Sequence, residues 1–265
     1  MKKINVAGIT GLVLCMAAIL FSVATNGGIG KIINYLHIPS LIMTVGGSLF
    51  AVLATTDSFS EYLDGLKSIF AAYQRPTETA GSIAAEIITI SEIARREGLL
   101  SLDEYAAQIN NEFLAKGIRL IVDGSEPELV RDIMENELTH REERNRRRIR
   151  FWQNLGAYAP AWGMLGTLIG LIDMMRSMGS DANAIGAGMS LALITTLYGS
   201  MLANWICIPV AAKLSESNER ECLGMEVIIE GVLSVQAGEN SRIIKEKINS
   251  ILENDKETDK VAEAV

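Results

Sequence analysis

Four long apolar stretches divide this chain, and they constrain its fold more than any other feature. They run from Ile4 to Thr25, Leu36 to Thr56, Leu155 to Met178 and Ile185 to Ala212. A helix of about 20 residues rises roughly 30 Å, the thickness of the hydrocarbon layer of a bilayer. Each stretch is therefore long enough to span. Mean hydropathy is positive, yet 21% of the residues are charged and the formal net charge is −8. A soluble globular chain seldom combines those properties, whereas a chain divided between lipid and water does. The first stretch follows Lys2 and Lys3, as a secretory signal would. Its apolar run is long for a signal and no small-x-small site precedes Asn26, so it reads as a retained span.

Positive charge near the span ends sets the expected topology. Arg141, Arg144, Arg146, Arg147, Arg148 and Arg150 precede the third stretch, while the two short turns hold only Lys31 and Arg176. This asymmetry places both termini and the middle region on the cytoplasmic side. Trp152 and Trp205 are expected at the interface on that side. The three cysteines, Cys15, Cys207 and Cys222, are odd in number and scattered. They form neither a disulfide framework nor a metal-ligand spacing, in keeping with a reducing compartment.

The region from Asp57 to Arg150 has helical spacing, with Ile83, Ile87, Ile90 and Ala94 recurring at three to four residues. Ile109, Phe113 and the run from Lys116 to Leu120 repeat the pattern. Gly98 and Gly117 read as helix ends, and Asp123-Gly124 as a turn. Ser125 reads as the N-cap of a helix over Glu128–Leu138, with Pro127 in its first turn. A polar helix is expected from Lys213 to about Ala237, and disorder from Glu253 to Val265. The expected fold is an all-α integral membrane protein. Four transmembrane helices flank a helical cytoplasmic domain between the second and third, and a C-terminal cytoplasmic helix follows. The corresponding divisions are 1–56, 57–152, 153–212 and 213–265.

The third and fourth stretches are richer in small and polar residues than simple anchors. Gly156, Pro160, Gly163, Thr167 and Gly170 share one face, and Gly166 with Gly170 makes a small-xxx-small pair. Gly188, Ala192, Thr196, Ser200 and Asn204 recur every four residues, flanked by Thr195, Gly199 and Ala203. Small faces let helix backbones approach in lipid, where apolar burial supplies no drive. If the two helices turn near Asp181–Ala182, Thr167 and Thr196 both fall about 22 Å below the turn. They could bond across the helices or line a polar path; each hydroxyl could equally bond its own backbone.

No Asp, Glu, Lys, Arg or His lies well inside any stretch, and Asp173 sits near the outer end of the third. Ion pathways through membranes usually need an ionisable group at depth. If this chain conducts, a partner must bring the carboxylate. Enzyme motifs are missing: no HExxH, no GxSxG, and a Gly28-Ile29-Gly30-Lys31 run without the spacing of a phosphate loop. His37 and His140 are isolated in sequence, so no metal site is expected.

Four segments carry a family resemblance. Residues 160–171, Pro-Ala-Trp-Gly-Met-Leu-Gly-Thr-Leu-Ile-Gly-Leu, resemble the third transmembrane helix of the MotA and PomA stator proteins. Residues 193–199, Leu-Ile-Thr-Thr-Leu-Tyr-Gly, resemble the fourth. Residues 94–102 are similar to the family's cytoplasmic domain and residues 230–240 to its C-terminal helix. Together they cover almost the whole chain in order. Four spans also fit better than the three usual in the related ExbB and TolQ proteins.

The resemblance implies a flagellar stator subunit in the bacterial inner membrane, not an enzyme. Several copies, five in the family, ring a pair of MotB helices. Each MotB chain supplies the ion-binding aspartate and a peptidoglycan-binding anchor. Ion passage would drive the ring against the rotor's switch protein, and no nucleic acid is involved. By position, Arg95, Arg96, Asp103 and Glu104 would face the rotor; Asp103 stands where relatives commonly have Glu. Pro160 and Pro209 match the family's two functional prolines, and Thr167, Thr195 and Thr196 would border the ion path. Gly163, Gly166, Gly170, Gly188 and Gly199 would pack the helices. Sodium-type members have threonine at the positions of Thr167 and Thr195, which favours sodium over the proton as the carried ion. A sodium ion shedding water also needs several oxygen ligands. Beside this reading stand an ExbB- or TolQ-like energy-transducing subunit and a passive membrane scaffold.

Overall fold

The computed structural model describes residues 6–27, 35–74, 78–177 and 182–262, and every regular element among them is helical. Lys2, Lys3, Lys31, the Gly28–Lys31 run and Asp181 lie outside the described residues. The chain divides into two compact units. One comprises residues 1–75 and 146–215, the other 76–145 and 216–265. Residues 57–74 and 146–152, grouped by sequence with the middle region, thus pack in the first unit.

The first unit holds the apolar helices. Helix α1 is Val6–Gly27 and α2 is Ile38–Leu53, with a π turn at Ile42–Gly46. His37 caps α2 by accepting the Ser40 N–H, and Pro39 occupies the first turn, where no N–H partner is needed. Helix α3, Phe59–Ala72, starts from Ser58, whose hydroxyl accepts from Ser60 and Glu61. The third apolar stretch is the end of one 51-residue helix, α7 (Pro127–Ser177), not a separate element. The fourth is α8 (Ala182–Met201), which passes through a π turn at Leu202–Cys207 into α9, Ile208–Gln236. Two helices are long and apolar enough to cross a membrane, and only 28% and 33% of their apolar windows are buried. Core helices of soluble proteins bury most of theirs. Leu168, Ile172, Met175 and Leu193 instead lie exposed, an arrangement suited to lipid rather than water. Two shorter apolar helices, Gly8–Ser22 and Ile38–Leu53, lie within the first two stretches.

Helix α3 is tied to α7 at three points. Arg148 forks onto Asp64, with Nε 2.7 Å from Oδ2 and Nη2 3.0 Å from Oδ1. The Trp152 indole donates to Ser68 Oγ at 2.9 Å, and the Phe151 ring lies over Gly65. Trp152 is only 4% exposed, so its ring packs inside the unit and presents no face to its surroundings. A donor at the right depth inside the unit satisfies its N–H, and the ring need not face the headgroups. Trp205 donates to the Leu12 carbonyl of α1 at 2.9 Å.

The second unit has a water-type core. Its elements are α4 (Ala80–Glu97), a 3₁₀ turn at Leu99–Ser101, α5 (Leu102–Ala106), α6 (Glu112–Val122), the start of α7, the end of α9, and α10 (Ser241–Ala262). Ile87, Ile90, Leu114, Ile118, Met134, Ile228, Val232, Ile244 and Ile248 are buried together, each side chain contributing about 1.5–3 kcal/mol. Gly117 does not end a helix. It lies inside α6 because a Cβ there would meet Met134 and Val232 at 2.8 and 2.9 Å. The stop comes at Gly124, with φ +74°, where the Ser125 N–H returns to the Leu120 carbonyl. Ser125 is therefore part of that stop, and Glu126 directly precedes α7. Helix α10 runs past Glu253 to Ala262. The tail lacks apolar period but also lacks Gly and Pro, and Glu, Lys and Ala favour helix. Lys247 of α10 sits 3.0 Å from Glu230 and 2.9 Å from Glu239. That contact holds the Glu239 carboxyl below its usual range and raises the Lys247 ammonium.

Candidate functional site

In the first unit α7 and α8 meet along a seam of glycines. A Cβ on Gly199 would lie 2.5 Å from the Ala159 carbonyl oxygen, and one on Gly170 would lie 2.6 Å from that of Gly188. On Gly163 it would meet the Thr195 carbonyl at 3.0 Å, and on Gly166 the Thr195 side chain at 2.5 Å. Such approaches exclude any side chain, which accounts for Gly163, Gly166, Gly170, Gly188 and Gly199 together. The buried row of α8 is Gly188, Ala192, Thr195, Gly199 and Ala203. The row read from the sequence, through Thr196, Ser200 and Asn204, turns away and is exposed. Both rows are small and recur at three or four residues, so periodicity alone does not separate them.

The threonines consequently differ. Thr195 is fully buried, its hydroxyl 2.9 Å from the Ala192 carbonyl and 3.1 Å from that of Leu191. Thr167 is half-buried and donates to the Met164 carbonyl at 2.7 Å. Thr196 is exposed, 3.4 Å from the Ala192 carbonyl. All three hydroxyls thus rest on their own helices. Thr167 and Thr196 are not level. Gly163 faces Thr196, and Thr167 lies four residues along, about 6 Å at 1.5 Å per residue. Asp181, where the sequence reading put the turn with Ala182, lies outside the described residues; α7 ends at Ser177 and α8 begins at Ala182.

The two prolines are handled differently. Pro160 stands inside α7, leaving the Gly156 carbonyl without its usual donor. Its backbone is what Gly199 packs against. Pro209 is the second residue of α9, one residue past the π turn at Leu202–Cys207, near the start of a helix.

In the second unit Arg95 and Arg96 occupy the last turn of α4, and Asp103 and Glu104 the first turn of α5. Gly98, with φ +87°, reverses the chain between them. Only glycine adopts that conformation without strain. Leu99 packs inward and Leu102 is fully buried, so the turn holds both charge pairs at the surface. All four are exposed and take no ion pair among the described residues. Cations at a helix C-terminus and carboxylates at an N-terminus also suit the helix dipoles.

Residues 105–227 match the family model described as the MotA/TolQ/ExbB proton channel family. Motility protein A of Treponema phagedenis is 40% identical to this chain, over 86% of this chain and 88% of its own length. The chain belongs to the MotA/TolQ/ExbB proton channel family. Solved structures of the same family agree. A chain of C. jejuni MotAB superimposes with a TM-score of 0.84 at 25% identity, covering 93% of this chain and 95% of that one. A chain of the flagellar MotAB stator complex from Bacillus subtilis does so with 0.80 at 28% identity, covering 91% and 93%.

Within this MotA/TolQ/ExbB chain the sequence reading missed a polar row on α2. Ser40, Thr44 and Ser48 are all fully buried at four-residue spacing. The Thr44 hydroxyl reaches the Thr195 carbonyl at 3.5 Å, and Trp162 packs over Gly47. The signal was present as Ser, Thr and Ser recurring every four residues in an apolar run. Tyr198 was also passed over: its hydroxyl donates to the Tyr35 carbonyl and accepts the His37 N–H at 3.1 Å.

Proposed function

We propose that this chain is a stator subunit of a bacterial flagellar motor. With a MotB-type single-span partner it forms an ion-conducting complex that converts ion motive force into rotor torque. One observation carries the reading. The seam of α7 and α8 packs backbone to backbone, while a polar row of Thr196, Ser200 and Asn204 stays exposed beside it and no ionisable group lies at depth. A scaffold needs the seam alone. A row of hydroxyl and amide groups facing away from the chain's own packing is suited to a partner that brings a carboxylate. Copies of the chain form a ring around that partner, as the motor reading requires. The four apolar helices span the inner membrane, and the arginine-rich run places both termini in the cytoplasm. Arg95, Arg96, Asp103 and Glu104 meet the rotor switch protein. The chain itself catalyses no covalent step.

Sodium is the proposed ion, with the proton as the alternative. Thr167 and Thr196 supply oxygens near the partner's carboxylate. Thr195, enclosed against Gly166, holds the helices at the distance those oxygens need. Swimming speed measured against sodium concentration at fixed pH, wild type beside Thr167→Ala, tests the ion. The wild type should depend on sodium, and the variant should stall or demand a much higher concentration. Full wild-type speed in sodium-free medium would leave the proton as the ion.

A further inference from the structure

The second unit presents few large apolar side chains to water. Among the described residues they are Leu100, Leu129 and Ile243, which expose 78%, 52% and 48% of their surfaces. Their elements meet at one end of that unit. Leu129 is in the first turn of α7 and Ile243 in the first turn of α10. Gln236, the last residue of α9, donates to the Ser125 carbonyl at 2.7 Å, which brings the end of α9 to the start of α7. Ile83 and Ile87 of α4 lie against Gly224 and Gly231 of α9, in the same order along both helices. Ser91 of α4 lies 3.4 Å from Ser241, where α10 starts. From there α4 runs on to Glu97, about 9 Å further at 1.5 Å per residue, and Leu100 stands in the turn that follows.

A single leucine on a protein surface needs no explanation. Leu100 differs in two respects. It exposes more of its surface than any other large apolar side chain among the described residues, those of the apolar helices included. Its backbone is also fixed. Gly98 at φ +87° reverses the chain, and the Ser101 hydroxyl and N–H both return to the Gly98 carbonyl, at 2.7 and 3.3 Å. Leu99 packs inward and Leu102 is fully buried, which leaves Leu100 held in water between them. Arg95 and Arg96 precede it and Asp103 and Glu104 follow it, all four exposed. Protein–protein contacts have this layout, with charge depleted at the centre and carried on the rim.

We propose that Leu100 is the apolar anchor of the rotor contact. It enters an apolar pocket on the rotor switch protein whose rim carries charges of both signs, complementary to Arg95, Arg96, Asp103 and Glu104. The four charges steer the encounter and set its register, and salt screens them. Leu100 supplies the part of the contact that salt does not screen, because its contribution comes from removing apolar surface from water. The inference rests on the stator reading and adds to it an apolar contact at the centre of the charged turn.

The test holds the full complex of chain and partner in lipid nanodiscs on a sensor surface, with the purified rotor switch protein in solution at a series of salt concentrations. Arg95→Glu should weaken binding at low salt and lose that effect as salt rises. Leu100→Ser should weaken binding about tenfold at every salt concentration, as the loss of one buried leucine side chain requires. Leu100→Met keeps the apolar volume and should bind as the wild type does. Wild-type affinity in Leu100→Ser, beside weakened binding in Arg95→Glu, would overturn the anchor and leave the stator reading standing. Absence of binding by the wild type would overturn both. A second measurement is made in motile cells, where Leu100→benzoylphenylalanine, an apolar photocrosslinking side chain, should form its adduct with the rotor switch protein. Adducts formed only with other copies of the chain would place a second copy at Leu100 and overturn the proposal, whatever the torque.

Discussion

A glycine in a helix interior lowers stability by about 1 kcal/mol relative to alanine, so the seam glycines must return something to the packing. At Gly199 the return is contact between backbones, since an added Cβ would stand 2.5 Å from the Ala159 carbonyl oxygen. At Gly186 an added Cβ would meet nothing within 4 Å. Gly199→Ala should therefore force α7 and α8 apart, at about 1–3 kcal/mol as for other overpacked sites. Gly186→Ala should be neutral or slightly stabilising. Thermal unfolding of the purified protein in detergent checks the pair, and equal midpoints for the two variants would contradict the seam. The threonines show what residue-level reading misses. Thr195 and Thr196 are neighbours in sequence with the same chemistry, yet 100° of helix separates a fully buried side chain from an exposed one. Only the partner helix decides which of two small rows packs.

Among the elements, the tight turn between α4 and α5 is the most specific. Gly98 at positive φ, Leu99 and Leu102 turned inward and four charges turned outward make a rigid surface feature. Arg95→Glu or Asp103→Arg should reduce torque while leaving membrane insertion and assembly at wild-type levels. Each effect should be partial, because exposed charge pairs contribute only about 0–1 kcal/mol. Torque on tethered cells, read beside the amount of complex in membranes, checks this; variants that fail to accumulate would make those residues structural. Much of this element was legible, since Gly98 ends α4 as the sequence predicts and Ile83, Ile87 and Ile90 are buried at the expected spacing. Other boundaries were not. The arginine run and the third apolar stretch read as two elements, although nothing between Pro127 and Ser177 breaks a helix except Pro160. A change of solvent looks like a change of structure in a hydropathy pattern, and a helix can ignore it. Gly117 misled for the opposite reason: its missing side chain serves Met134 and Val232 and no turn.

At the scale of the molecule, one chain holds two chemically different units. In one, α7 and α8 close on glycines and small residues, a packing suited to lipid; the other is packed by isoleucine, leucine and valine, as in water. What neither unit contains matters as much, because no ionisable side chain lies deep in the apolar helices. On the stator reading, a conducting path is incomplete until a second protein brings a carboxylate to the exposed polar row of Thr196, Ser200 and Asn204. The direct measurement is ion flux into vesicles, with the chain alone and with its single-span partner at equal amounts. Flux should be absent with the chain alone and appear when the partner is present. Equal flux from the chain alone would contradict the division of labour on which the stator reading depends.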